Sequence, residues 1–259
     1  MFFKDTSVST NITAATPERV FALCKCVERK KSISEAELRS MLEPDYAKHS
    51  NYYPMIRDVA LDLGLIDKND FISLKVDPIQ IKTIEDMRRF INSNMDKYRL
   101  GMFYAITAAY YKLGQSLFKE VKNVSNAAAL FSSITGITVT VEAMRAWRFW
   151  AAFLGFGYLD SMLIIPNAAV FIKDLIYSNE LKKREYISAE DFFEAIYPAA
   201  KIIIDNSTRS LNYGATSGLL TLEQMQIIET TAILDHDVWN IEKIDPNRNA
   251  IITNIKIRK

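Results

Sequence analysis

Leu63-Gly64-Leu65-Ile66-Asp67 decides the reading of this chain, because the phrase recurs as Phe156-Gly157-Tyr158-Leu159-Asp160. Each copy closes an amphipathic helical run. Each then leads into a short β-rich stretch, Phe71-Ile72-Ser73-Leu74 after the first and Met162-Leu163-Ile164-Ile165 after the second. Glycine stops a helix at little steric cost because it enters left-handed backbone freely. The order is helix, glycine stop, apolar pair, acidic turn, strand.

Upstream of the first copy, Ile56, Val59, Ala60 and Leu63 recur at i, i+3, i+4 and i+7, which predicts a helix from about Asn51 to Leu63. Ser34 followed by Glu37 is a capping box opening a second helix with Leu38, Met41 and Leu42 inward, and Pro44 stops it. Thr16-Pro17 starts an earlier helix that turns Val20, Phe21, Leu23, Cys24 and Val27 inward and ends at Lys30-Lys31. Downstream, Asp67-Lys68-Asn69-Asp70 turns into the strand Phe71–Val76. Three short helices, a turn and a strand make the plan of a winged helix-turn-helix.

A charged linking helix, Ile84 to Met95, separates this unit from a second of the same order. Leu100–Leu113 is an aromatic helix with Phe103, Tyr104, Tyr110 and Tyr111. Ser125 caps a short helix through Leu130, Phe131 and Ile134. Thr140 caps a long one from Val141 to Phe156 that Gly157 ends. Adding 93 to the first unit's numbers lays Ile56 on Phe149, Val59 on Ala152, Leu63 on Phe156, Gly64 on Gly157 and Asp67 on Asp160. An internal repeat is expected.

Past a charged linker with Lys182-Lys183-Arg184, Ser188 and Asp191 begin a helix over Ala189–Ile204. Asn206–Gly218 reads as loop, and Thr221 caps a helix from Leu222 to about Leu234. Val238–Ile241 and Ile251–Ile255 alternate around Asp245-Pro246-Asn247-Arg248-Asn249 as a hairpin. The expected fold is mostly α with small β wings. It comprises a first winged-helix unit at 16–80, a linking helix at 81–99, a second unit at 100–178, and a C-terminal helical unit with a hairpin at 187–259. The last is a candidate degenerate third winged helix.

With 49% hydrophobic and 24% charged residues, the composition fits a soluble globular chain, and 8 glycines and 7 prolines in 259 residues favour helices with short connections. The net charge of +1 gives no bulk attraction to nucleic acid, so any such role rests on local patches. Cys24 and Cys26 stand at i and i+2 on one helix and face different ways, which suits packing rather than a disulfide or zinc site. Met1–Thr16 has no apolar secretory core, and the apolar run Ala143–Ile165 carries Arg145, Arg148 and Asp160. No membrane span is expected, and the expected location is cytoplasmic.

Catalytic signals are few. His49 lies in a polar loop, and Asp235-His236-Asp237 sits at a predicted helix end, where a histidine also favours the terminal carbonyls. Gly155-Phe156-Gly157 ends a helix, whereas a dinucleotide fingerprint must open one. No catalytic residue, cofactor, metal or small-molecule substrate is expected.

Winged helices that read DNA place Arg, Lys, Asn or Gln on the exposed face of the third helix. The first unit offers Arg57 there beside Asp58 and Asp62, and the third candidate helix offers only Glu223, Glu229 and Asp235. The second unit carries Arg145 and Arg148 at i and i+3. Candidate phosphate contacts are therefore Arg145, Arg148, Lys182, Lys183, Arg184, Arg248, Lys256 and Arg258. Trp147, Phe149, Trp150, Phe153 and Phe156 make the same helix apolar nearly all round. A second surface must cover it, in this chain or in another protein, and Trp147 and Trp150 are the candidate partner contacts.

The two helix–glycine–apolar–Asp–strand phrases and their capping residues resemble tandem winged-helix proteins. The chain is similar in this and in its near-neutral charge to adaptor subunits of prokaryotic SMC-type DNA-maintenance or anti-phage defence complexes (Lamassu-like). That resemblance implies a non-enzymatic scaffold with protein partners, among them a coiled-coil ATPase and a nuclease, and with DNA touched through phosphates at most. A transcriptional regulator reading DNA through the 141–156 helix is the alternative.

Overall fold

Pro17 sits at the first position of α1 (Pro17–Lys30), where its missing N–H costs nothing, and Thr16 precedes it in extended backbone. These coordinates come from a computed structural model, which describes residues 2–6, 12–43, 51–161, 163–181, 186–233, 237–244 and 249–258. Val20, Leu23, Cys24 and Val27 of α1 are buried. β1 (Ser32–Ile33) leads into α2 (Glu35–Leu42), whose cap Ser34 accepts the Glu37 N–H at 3.2 Å as expected. Pro44 lies outside the described residues. α3 (Tyr53–Asp62) starts two residues later than the spacing suggests, with Pro54 in its first turn. β2 (Ile66–Lys68) and β3 (Ile72–Leu74) form a hairpin, and β1, which the sequence did not announce, adds to β3 in the order β1-β3-β2.

The expected linking helix is α4 (Ile84–Ser93), opened by a capping box between Thr83 and Asp86. It is no solvated spacer. Arg88 donates to both Asp174 oxygens, at 2.8 and 3.2 Å, and the Asn92 amide donates to Asp174 at 2.9 Å and to the Leu154 carbonyl at 3.0 Å. Asp174 is 2% exposed, so this node ties α4 to two later parts of the chain.

The second helical set is α5 (Met102–Lys112), the single turn α6 (Leu117–Glu120), α7 (Val124–Thr135) and α8 (Val141–Phe153), followed by the hairpin β4 (Gly157–Asp160) and β5 (Leu163–Pro166). Asn123, not Ser125, caps α7: its extended backbone lets its side chain accept the Asn126 N–H at 2.8 Å, whereas Ser125 is already helical. Thr140 caps α8 as expected, but α8 stops at Phe153. The left-handed glycine is Gly155 (φ 80°), and Gly157 belongs to β4.

A third set comprises α9 (Ala169–Ser178), β6 (Tyr186–Ser188), α10 (Ala189–Ala200), β7 (Ile204–Asp205), β8 (Ser210–Leu211), α11 (Tyr213–Gln224), β9 (Ile228–Thr231), β10 (Trp239–Asn240), β11 (Ile251–Ile252) and β12 (Asn254–Ile257). Two expectations fail here. Asn212 accepts the Ala215 N–H and opens a helix inside the expected loop, and Gln226 at φ 56° closes it where a helix was expected to continue. Thr221 is mid-helix, its hydroxyl donating to the Ser217 carbonyl. The expected terminal hairpin forms as β10 with β11, but the chain runs on into β12, which lies between β6 and β9.

The three sets share one hydrogen-bond pattern. Gly64, Gly155 and Gln226 each take positive φ after a helix and donate to the carbonyl three residues back, from Leu61, Ala152 and Glu223. Leu65, Phe156 and Ile227 donate five residues back, to Ala60, Ala151 and Leu222, completing a Schellman turn each time. The carbonyls of these same three residues accept from Lys75, Asn167 and Arg258, just past the second strand of each hairpin. One hydrogen-bonded turn thus recurs three times, and in it Gly155, not the expected Gly157, is the counterpart of Gly64, so the overlay shifts from 93 to 91 residues and Ile56 falls on buried Trp147 rather than on exposed Phe149. The chain is mostly helical with small sheets. No helix among the described residues is long and apolar enough to cross a membrane.

Candidate interaction surface

α3, α8 and α11 hold the same place in the three sets, and their solvent faces differ. On α3, Arg57 is taken up within the chain. It donates to Glu35 at the start of α2 and to Asp58 at 2.7 and 2.8 Å, and its guanidinium lies 5.8 Å from the Tyr53 ring centroid. Lys68 of β2 also bonds Glu35, at 2.5 Å, and with Arg57 holds that carboxyl below the ordinary range. Asp62 is not beside Arg57 on the outer face as expected; it is buried, and burial raises its pKa.

α11 is covered. A Cβ on Gly218 would stand 2.8 Å from the backbone of Ala168 and Ala169, so α9 approaches α11 as closely as a glycine allows. Asn167 reinforces the contact, donating to the Thr221 hydroxyl at 2.8 Å. The acids expected on this helix have local roles: Glu223 accepts from Thr230, and Glu229, on β9, pairs with Arg258 at 2.6 Å.

α8 keeps one face open, and the tryptophans are not on it. Trp147 is 2% exposed and donates to the Thr107 hydroxyl at 2.9 Å, 4.6 Å from the Tyr110 ring. Trp150 is fully buried, donates to the Ala15 carbonyl at 2.8 Å and meets the Phe3 ring at 5.0 Å. The expectation that Trp147 and Trp150 contact a partner is thereby corrected. α8 is apolar on two sides because α5 covers one and the N-terminal segment covers the other.

The open face carries Arg145, Arg148 and Phe149. Arg145 is exposed, and Phe149 keeps 40% of its surface in solvent. The Arg148 guanidinium lies 4.9 Å from the Phe149 ring centroid and donates to the Ser161 carbonyl at 3.1 Å, in the β4–β5 turn. That hairpin exposes Tyr158, Leu159 and Ile165, with Tyr158 and Ile165 directly opposite in register. Sequence reasoning missed these apolar side chains. The available signal was an aromatic residue beside an arginine on the helix face opposite the core stripe.

The other expected phosphate contacts are less available or undescribed. Lys256 sits 4.9 Å from the Tyr186 ring centroid, and Arg258 is committed to Glu229. Lys182, Lys183, Arg184 and Arg248 lie outside the described residues, as do His49, Asp235 and His236. Asp237 accepts from Arg209 at 2.8 Å. Among the described residues no group of three or more His, Cys, Asp or Glu is placed to hold a metal ion. A cleft of about 610 Å³ lies between α5 and the β7–β8 region; Glu242 lines it, bonded to the Tyr213 N–H, with burial raising its pKa. No family model matches the sequence, and no curated protein or solved structure matches it either.

Proposed function

We propose that the chain is a non-enzymatic adaptor of three winged-helix units, the third enlarged by the β7–β8–β10–β11 sheet, that joins proteins in a DNA-associated complex. The helix, strand, helix, helix, hairpin order of the first and third sets supports the winged-helix reading, as does the hydrogen-bond pattern common to all three. The observation that carries the adaptor role is the open face of α8. Two arginines stand beside exposed Phe149, Tyr158, Leu159 and Ile165, a combination typical of protein interfaces. From Val141 to Pro166, Glu142 and Asp160 balance Arg145 and Arg148, so this surface has little net attraction for phosphate. DNA contact, where it occurs, is phosphate-directed and secondary.

The resemblance to SMC-type adaptor subunits supports a DNA-maintenance or anti-phage defence setting, with a coiled-coil ATPase and a nuclease as partners. The test is recovery of the tagged full chain from its source cells. A stoichiometric protein partner is expected, and its loss with Phe149→Ser. A free monomer overturns the reading.

Exposure of Arg145 on α8 also favours a second reading, a regulator that reads DNA through this helix. Selection from a random duplex pool decides it: one enriched sequence, lost with Arg145→Ala and Arg148→Ala together, would establish it.

A further inference from the structure

Lys68, Leu159 and Thr230 hold one place in the three sets, each four residues past the positive-φ residue and each opposite an isoleucine of the paired strand, Ile72, Ile164 and Ile255. In an antiparallel ladder the N–H and carbonyl of one residue point to the same side. For Ile164 both groups are held by the Tyr110 hydroxyl, away from β4. Leu159 therefore turns its own N–H and carbonyl outward, along the outer edge of β4.

The equivalents of Leu159 are guarded. In the third set the Thr230 N–H donates to the Glu223 carboxylate at 2.9 Å, and the Thr230 hydroxyl donates to the same oxygen at 2.5 Å. In the first set the place belongs to Lys68, bonded to Glu35 at 2.5 Å, and its neighbour Asp67 accepts from Lys75 at 3.1 Å. Charged side chains, lysine above all, keep a strand edge from pairing with another chain. Among the described residues β4 has neither guard. Ala152 stands where the third set has Glu223, and exposed Tyr158 and Leu159 stand where the first has Asp67 and Lys68.

We infer that β4 pairs antiparallel with β4 of a second copy of this chain, about a two-fold axis at Leu159, to make one sheet in the order β5-β4-β4-β5. The charge of the region favours a copy of itself as the occupant. From Val141 to Pro166, Glu142 and Asp160 equal Arg145 and Arg148 in number, so two copies meet without the repulsion that a face of one sign would bring. The same axis sets Tyr158 of each copy opposite Asp160 of the other. Main-chain bonds supply the attachment, as in strand addition generally. The inference does not depend on the adaptor reading, because it concerns a second copy of the chain and not another protein.

Sedimentation of the purified full chain over a wide concentration range is the test, with a reversible dimer expected. Leu159→Lys restores the guard of the first set and sets two lysines face to face, so it should weaken the dimer at least about tenfold. Leu159 is exposed, and an unchanged melting transition will show that the variant folds. Leu159→Cys, in a Cys26→Ser background, should cross-link on mild oxidation. Residues facing each other as a hydrogen-bonded pair stand about 5.5 Å apart at Cα, within disulfide reach. Lys68→Cys in the same background should not cross-link. A monomer at every concentration, a dimer that Leu159→Lys leaves intact, or equal cross-linking by the two cysteine variants overturns the inference. A dimer recovered from cells with no other protein upholds it and counts against the adaptor reading, whereas a stoichiometric complex built on a single copy does the reverse.

Discussion

The Tyr110 hydroxyl donates to the Ile164 carbonyl at 2.5 Å and accepts from the Ile164 N–H at 3.3 Å. Ile72 in β3 and Ile255 in β12 occupy the equivalent position, and there the partner is a strand, through Ile33 of β1 and Ile187 of β6. Among the described residues the second hairpin has no third strand, and one phenol satisfies the open edge at Ile164 in its stead. Tyr110→Phe removes both bonds and leaves a buried N–H and carbonyl unmet. It should lower unfolding free energy by about 2 kcal/mol, read from the urea midpoint. A loss below about 0.5 kcal/mol would mean that the phenol does not close this edge.

The three positive-φ residues should respond differently to substitution. A Cβ on Gly64 meets nothing within 4 Å, so Gly64→Ala carries only the left-handed strain, about 1 kcal/mol. A Cβ on Gly155 would stand 2.6 Å from Val170 Cβ, so Gly155→Ala should cost roughly 2 kcal/mol or more. Gln226→Gly relieves strain and should stabilise by about 0.5 kcal/mol. Thermal unfolding of the three variants would test this order, and a stabilising Gly155→Ala would contradict the assigned turn.

Local signals carried much of this architecture. Thr16-Pro17, Ser34 and Thr140 mark helix starts because their side chains or ring act within a turn of where they stand. The repeat was legible for the same reason, since a glycine after an apolar helix face is a short-range mark. Its register was not, because Gly155 and Gly157 offer the same mark and only β4 pairing with β5 separates them. α11 was missed because Gln226 occupies the glycine place and because a helix covered on most sides shows no polar face. The site followed suit. Arg145 and Arg148 were readable from spacing, whereas the burial of Trp147 and Trp150 depends on Thr107, Ala15 and Phe3, distant in sequence.

Asp86 gives the capping box of α4 a pH dependence. Its side chain accepts from the Thr83 hydroxyl at 2.8 Å and from the Thr83 N–H at 3.0 Å, and these bonds, the hydroxyl's foremost, hold its carboxyl below the ordinary value. A carboxylate depressed in the folded state contributes stability above its unfolded pKa of about 3.9, and loses it as pH falls through the lower folded value. Asp86→Asn should therefore cost about 1 kcal/mol at pH 7, the usual worth of a cap. Denaturation of both proteins across acid pH should show the gap closing below about pH 4. A gap that persists undiminished at low pH would assign the stabilisation to something other than the ionised carboxyl.

Phe149 and Trp150 are neighbours on α8 with opposite roles, and stability separates them. Phe149 is 40% exposed, so Phe149→Ser falls among surface changes, within about 0.5 kcal/mol of no effect. Trp150 is fully buried between Phe3 and Phe153, and its indole N–H satisfies the Ala15 carbonyl. Trp150→Phe removes that bond and leaves a cavity, at a cost of roughly 2–4 kcal/mol. Truncation of Phe2 and Phe3 should act on the same contact and add less than its separate cost when combined with Trp150→Phe, because the two share one packed cluster. Urea titrations of the single and combined variants measure that coupling. Full additivity would show that the N-terminal segment and Trp150 stabilise the chain independently, whereas subadditivity would confirm that the segment is what covers this side of α8 and leaves Phe149 as the aromatic side chain open to a partner.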